Sequence, residues 1–121
     1  MMGTVLVEKR EINMGIIKER DYRILCDLKE RLSKKIPILD MRVYGSRARG
    51  DADAFSDFDV FFEIETLDAT TKAIIRDIAW ETSLENMIVI SPIIFSKYEL
   101  NHSPLRSSPI VKNIINEGIS I

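Results

Sequence analysis

The sequence predicts one mixed α/β domain in which helices flank a short mixed β-sheet. Some segments repeat apolar residues at helical spacing, others alternate apolar with polar residues, and short polar stretches separate the two kinds. The 121 residues, 45% hydrophobic and 30% charged, suffice for one hydrophobic core but not for two. Because no repeat or linker-like stretch divides the chain, we expect a single domain over residues 1–121.

A helix and a strand are predicted first. Apolar side chains recur every three or four residues from Gly15 to Lys35, which predicts a helix, and Pro37 prevents its continuation. From Ile38 to Tyr44 the period changes to two, which predicts a strand with one face in the core. That core face would carry Leu39, Met41 and Val43.

A polar loop over Arg47–Ser56 leads to a second predicted strand, from Asp57 to Glu65. Alternation again separates two faces of this strand. The apolar face would carry Phe58, Val60, Phe62 and Ile64. The opposite face would carry Asp57, Asp59, Phe61 and Glu63.

A helix, a strand and a closing helix are predicted for the second half. The pattern of Ala69–Asn86 predicts a helix with Ile74, Ile75, Ile78 and Ala79 directed inward. The apolar run Met87–Phe95 predicts a strand buried on both faces, and Pro92 indicates a bulge or an edge position there. Ser107-Ser108-Pro109 is typical of a helix start, and Gly118 of a helix end.

Charge and composition narrow the classes of function. The 17 basic and 19 acidic residues give a formal net charge of −2, so we expect no stable binding of nucleic acid. No apolar run approaches the ~20 residues that cross a membrane, and the N-terminus lacks the apolar stretch of a signal peptide. The single cysteine, Cys26, fits a reducing compartment, so the expected location is the cytoplasm without membrane association.

Two carboxylates are the strongest candidates for metal binding. Asp57 and Asp59 are two residues apart on a predicted strand, so their side chains leave the same face, with Cα atoms roughly 6.6 Å apart. Two carboxylates at this spacing can bind one hard cation or bridge two. Mg²⁺ is the expected ion, because it prefers oxygen ligands and keeps places for water and phosphate.

The turn before the loop carries the complementary groups for an anion. Gly45 allows close approach of the backbone to a ligand, and the N–H groups of such turns bind anions. The hydroxyl of Ser46 adds a donor, and Arg47 and Arg49 add guanidinium groups suited to phosphate. A D-x-D pair or a G-S-R turn alone is commonly a solvated surface feature. Their combination at this spacing instead favours a site for a metal-bound nucleoside triphosphate.

These residues also resemble a known family. Val43–Ala52 and Ser56–Val60 are similar to the signature of the nucleotidyltransferase superfamily that includes DNA polymerase β. The likeness is greatest to its minimal branch, the MNT proteins that are often encoded beside a HEPN-domain partner. The preceding helix and the following helix and strand are similar in order and length, so the resemblance implies the polymerase β-like nucleotidyltransferase fold.

The resemblance implies transfer of a nucleoside monophosphate from a triphosphate, with ATP the expected donor, to a hydroxyl acceptor. By matching position, Gly45 and Ser46 would hold the β- and γ-phosphates, and Asp57 and Asp59 would be catalytic residues that bind Mg²⁺. Arg47, Arg49 and Ser56 are further nucleotide-binding candidates, and the motif leaves the roles of the two arginines open. The expected acceptor lies on a partner protein of the HEPN type, for which this chain would be the antitoxin.

One departure from the family supports a second hypothesis. The family usually has a third carboxylate on the later strand, whereas Met87–Phe95 contains no Asp or Glu. Glu85 and Glu99 flank this run and are interpreted as charges on helix surfaces. The alternative is therefore a weakly active or inactive nucleotide-binding module that neutralises a HEPN-type partner by binding it. A homodimer is also compatible with so small a domain.

Overall fold

A computed structural model describes residues 17–121, over which helices and strands alternate. Residues 1–16, including the predicted helix start at Gly15, lie outside the described residues. The elements in chain order are α1 (Glu19–Ser33), β1 (Asp40–Tyr44), α2 (Ser46–Arg49), β2 (Phe58–Ile64), α3 (Ala69–Asn86), β3 (Ile90–Ser96), α4 (Lys97–His102), a 3-10 turn (Pro104–Ser107), α5 (Pro109–Glu117) and β4 (Ile119–Ser120).

The sheet has four strands in the order β3-β2-β1-β4. β1 pairs antiparallel with β2 and with β4, whereas β2 and β3 are parallel and are joined through α3. This connection follows a general rule, because parallel neighbours need a crossover and a helix usually supplies it. The predicted short mixed sheet flanked by helices is confirmed.

The main core lies between one face of the sheet and the helices α1 and α3. Met41 and Val43 of β1 are fully buried there, as the alternating pattern predicts. The apolar face predicted for β2 is also fully buried, with Phe58, Val60, Phe62 and Ile64. α1 contributes Leu25, Leu28 and Leu32, and α3 contributes Ile75 and Ala79. Leu39 is an exception: it precedes β1 and is exposed, so its assignment to the core was wrong.

A second, smaller apolar cluster covers part of the opposite face of the sheet. It joins Phe61 of β2 to Leu100 of α4 and to Val111 and Ile114 of α5. Phe61 lies on the face that the sequence assigns to it, but it is buried there rather than facing solvent. The sequence did not predict α4, which contributes Leu100 to this cluster, or the 3-10 turn that follows α4.

The ends of the helices follow local capping chemistry. α3 has the bounds predicted from the sequence. It begins at Ala69 because the side chain of the preceding residue, Asp68, accepts a hydrogen bond from the Thr71 N–H at 2.8 Å. α5 starts with Pro109 in the first turn, and Gly118 is its C-cap, both as predicted. Among residues 17–121, none of the helices combines the length and apolar character needed to cross a bilayer.

Two other predictions need correction. The strand predicted over Met87–Phe95 starts only at Ile90 and lies at the edge of the sheet, so it is half-buried rather than buried on both faces. Met87 and Val89 are 92% and 56% exposed. The edge position of Pro92 is confirmed. The predicted loop after β1 starts with one helical turn, α2.

Candidate functional site

The two aspartates lie at the start of β2, on the face opposite the main core. Asp59 is the second residue of β2, and Asp57 directly precedes the strand. The strand register puts Tyr44 of β1 on one side of Asp59 and Ser91 of β3 on the other. The hydroxyl of Ser91 donates a hydrogen bond to Asp57 Oδ2 at 3.3 Å. Both carboxylates therefore lie at one end of the sheet, beside a serine that the sequence analysis missed.

The charge at this end of the sheet is unbalanced. Burial raises the pKa of Asp59 above its usual value, and the charge of Asp57 raises it further. Burial likewise raises the pKa of the Tyr44 hydroxyl, with an added contribution from the charge of Asp59. Within the described range 17–121, neither aspartate forms an ion pair with a basic side chain. A bound cation would relieve this repulsion.

Gly45 brings the turn after β1 against Asp59. Its φ of 74° and ψ of −152° define a conformation that only glycine adopts readily. A Cβ at this position would lie 2.8 Å from Asp59 Oδ2. Ser46 follows as the first residue of α2, where backbone N–H groups have no partner within the helix. The predicted anion-binding turn thus lies against the carboxylate of Asp59.

The two arginines of the turn are in different environments. Arg47 is buried, and its guanidinium contacts Asp21 of α1 and the backbone carbonyl of Ser56. Arg49 is half-exposed, and its Nε lies 3.2 Å from Asp51 Oδ2. The structure therefore leaves Arg49 accessible to a ligand and places Arg47 inside the protein.

Ser56 connects the loop to the first aspartate. Its hydroxyl donates to Asp53 Oδ1 at 3.2 Å and accepts from the Asp53 N–H at 3.1 Å. These bonds close a tight turn directly before Asp57. The geometry gives Ser56 a role in the shape of the loop, through both its side chain and its carbonyl.

Comparison with known proteins identifies the family of this chain. A model of the nucleotidyltransferase domain matches residues 25–120, which include the turn, the loop and both aspartates. The chain belongs to the nucleotidyltransferase domain family. Over 85 residues it is 42% identical to a protein of Methanocaldococcus jannaschii named "Putative protein adenylyltransferase". That match covers 68% of this chain and 78% of the relative.

A solved structure has a similar fold. It is described as the crystal structure of a toxin-antitoxin with AMP-PNP, and it aligns with a TM-score of 0.54 at 19% sequence identity. The alignment covers 81% of this chain and 69% of that one. At this level of identity the likeness concerns the fold, and it agrees with the mixed sheet and helices described above.

In this chain, the position of β3 beside Asp59 carries no carboxylate, because Ser91 occupies it. The two glutamates that flank β3 are engaged elsewhere. Glu85 pairs with Arg31 of α1, and Glu99 accepts from the Ser96 N–H at 3.0 Å in a capping box at the start of α4. Their interpretation as helix charges therefore agrees with the structure. Ser91 could have been found, since it is a polar residue directly before a proline in an apolar run.

The donor set at this site fits a magnesium ion. Asp57 and Asp59 supply carboxylate oxygens, and over the described residues no cluster of three or more acidic, histidine or cysteine side chains is poised to bind a metal. A two-carboxylate site leaves several coordination positions for water and phosphate oxygens, which is the arrangement Mg²⁺ prefers.

Proposed function

We propose that this nucleotidyltransferase domain transfers AMP from ATP to a hydroxyl group of a partner protein in a Mg²⁺-dependent reaction. The observation that carries the proposal is the close approach of Gly45 to Asp59, which brings the candidate phosphate-binding turn beside the candidate metal-binding pair. The family supports the reaction class. The name of the Methanocaldococcus relative supports an adenylyl group and a protein acceptor.

Each side chain has a defined task in this proposal. The backbone N–H groups after Gly45 and the hydroxyl of Ser46 hold the β- and γ-phosphates, and Arg49 reaches them from the surface. Asp57 and Asp59 would hold the Mg²⁺, which would supply positive charge to balance the negative charge that the leaving pyrophosphate gains. The acceptor oxygen attacks the α-phosphorus, the bond to the pyrophosphate breaks, and the hydroxyl proton passes to solvent.

Two likenesses bear on the partner. The similar solved structure is a toxin-antitoxin with AMP-PNP, which supports a place for this chain in such a pair and an adenine nucleotide as its ligand. The resemblance of the signature to MNT proteins supports a HEPN-domain protein as the partner. We place this pair in the cytoplasm, where ATP is abundant and the lone thiol of Cys26 stays reduced.

A second candidate function is favoured by Ser91. The serine beside Asp59 donates a hydrogen bond to Asp57 and cannot act as a carboxylate base. Loss of a general base typically costs 10²–10⁴-fold in rate. The same site could then bind metal and nucleotide without efficient transfer, and the chain would neutralise its partner by binding.

Labelled ATP, Mg²⁺ and the protein of the neighbouring gene test the two candidates. The wild type should label the partner, and Asp57→Asn/Asp59→Asn should lower the rate more than about 1,000-fold, because metal charge is worth several kcal/mol. Asp77→Asn, an exposed aspartate of α3, is the matched control and should transfer normally.

The outcomes separate the candidates. Equal transfer by the wild type and the double variant would contradict the assignment of the site. No transfer, together with Mg²⁺-dependent binding of ATP that the double variant loses, would favour the binding module.

A further inference from the structure

Two buried charged side chains have no task in the proposed reaction. Arg47 of α2 and Asp21 of α1 have side chains that are only 4% and 3% exposed, and Arg47 Nη1 lies 3.2 Å from Asp21 Oδ2. Removing two charges from water costs several kcal/mol per ion, so a buried pair is weak evidence for stability. A role in positioning the groups that the pair contacts would explain its presence.

The remaining contacts of Arg47 show what it holds in place. Its Nε and Nη2 both donate to the backbone carbonyl of Ser56, at 3.3 and 2.8 Å. The guanidinium carbon lies 4.1 Å from the centroid of the Phe58 ring. Ser56 and Phe58 are the two neighbours of Asp57 in the chain. One guanidinium therefore contacts the residue on each side of a candidate metal ligand.

The position of Arg47 in the chain completes the connection. It directly follows Gly45 and Ser46, the candidate phosphate-binding turn. The backbone from Asp51 to Ser56 forms a largely exposed loop between this turn and Asp57. Arg47 bridges the two ends of that loop, and Asp21 ties the bridge to α1.

We propose that Arg47 and Asp21 are a positioning pair that sets the spacing between the phosphate-binding turn and the metal-binding aspartates. The inference rests on the proposed function and deepens it, because it gives the two arginines of the turn separate tasks. Arg49 contacts the nucleotide, and Arg47 fixes the position of Asp57 relative to the turn from inside the protein. A lysine cannot replace Arg47, since the ammonium group lacks the planar set of donors that reaches two partners at once.

Arg47→Lys and Asp21→Asn test this pair. Asp21→Asn keeps the shape of the side chain and serves as the milder change if Arg47→Lys folds poorly. Arg31→Lys is the matched control, because Arg31 also joins α1 to another element through a carboxylate, but at the surface. Calorimetric titrations with ATP in EDTA and with Mn²⁺·ATP report phosphate binding and metal binding separately.

Arg47→Lys and Asp21→Asn should each weaken Mn²⁺·ATP binding and lower kcat by about 10- to 100-fold, the usual effect of a misplaced ligand or reacting group. Binding of ATP in EDTA should change by less than about 3-fold, because the turn itself is intact. The double variant should be no more impaired than the more impaired of the two single variants, because both changes break the same ion pair. The control should match the wild type in every measurement.

Hydrogen exchange tests the same pair without any ligand. Amides of residues 51–57 should exchange at least about tenfold faster in Arg47→Lys, while those of α3 keep wild-type protection. An equal loss of metal-free ATP binding would make Arg47 a phosphate ligand and overturn the proposal. The proposal would also be overturned if residues 51–57 of Arg47→Lys exchanged at the wild-type rate. The same holds if Asp21→Asn left Mn²⁺·ATP binding and kcat unchanged. A wild type that binds no Mn²⁺·ATP would instead contradict the proposed function, and the exchange result would still decide the role of the pair.

Discussion

The two faces of the sheet differ in how completely they are covered. Helices α1 and α3 cover one face along its length, and its largest side chains, such as Phe62, are fully buried. Helices α4 and α5 cover only the part of the other face around Phe61. Asp59 lies on this second face and is half-buried, and Asp57 next to it is exposed. The site is thus found where the second layer of helices ends.

A small domain has to be stable and also has to leave its site open to a ligand. The two faces of the sheet meet these two requirements separately. The fully covered face supplies the burial of apolar area that stabilises the fold. The partly covered face can then leave carboxylates and a glycine turn accessible to a ligand, although like charges there work against stability. Changes on the two faces should therefore affect different measurements.

The largest expected effect on stability comes from the fully covered face. Phe62→Ala should lower the free energy of unfolding by about 3–5 kcal/mol, because it leaves a cavity in the main core. Phe61→Ala, on the adjacent residue of the same strand, should cost less, since the thin layer of α4 and α5 can collapse onto the gap. Urea denaturation of both variants checks this order. An equal or larger cost at Phe61 would mean that the second face carries as much of the core.

A change at the open end of the other face should affect binding more than folding. Gly45→Ala should cost about 1–3 kcal/mol of stability through backbone strain. Its new Cβ would also displace the Asp59 carboxylate, so binding of Mn²⁺·ATP should weaken more than tenfold. Titration calorimetry beside a thermal melt measures both effects. Normal binding by Gly45→Ala would show that the close contact with Asp59 is dispensable.

The smallest effect is expected at the start of α3, which covers the first face. Hydrogen bonds from the backbone and side chain of Thr71 hold the pKa of Asp68 below its usual 3.8. A lowered pKa in the folded state stabilises the protein above pH 3.8, and this contribution is lost as the pH falls through the folded value. Asp68→Ala should therefore lower Tm at pH 7, and the gap to the wild type should narrow below about pH 4. A gap that is the same at pH 3 and pH 7 would contradict this role of the Asp68 charge.

Elements defined by local chemistry were the ones that the sequence predicted well. The alternation in β1 and β2 identifies Met41, Val43 and Phe62 as core, because the main core buries one face of both strands. The bounds of α3 also follow from its own residues. The burial of Phe61 and the exposure of Val89 were missed, since they depend on α4 and α5 and on which strand lies at the edge.

The candidate site shows the same limit. The spacing of Gly45, Asp57 and Asp59 indicates the chemistry, and the structure brings Gly45 and Asp59 into contact. The environment of Arg47 could not be predicted from its neighbours in the sequence, because its buried partner Asp21 belongs to α1 and lies 26 residues earlier in the chain. An arginine beside a glycine turn has the same local sequence whether its guanidinium group faces a phosphate or the interior of the protein.

The pairing of β1 with β4 has a consequence for how the sheet assembles. Ile121, directly after β4, extends this pairing: its N–H donates to the Met41 carbonyl at 3.0 Å, and Lys29 Nζ donates to the Ile121 carbonyl. Until β4 pairs with β1, the outer edge of β1 stays open. An open strand edge invites pairing with other chains, and contacts between distant residues form late. We therefore expect folding intermediates in which β4 has not yet paired to be the most prone to association, and nucleotide binding to develop only once β4 has paired.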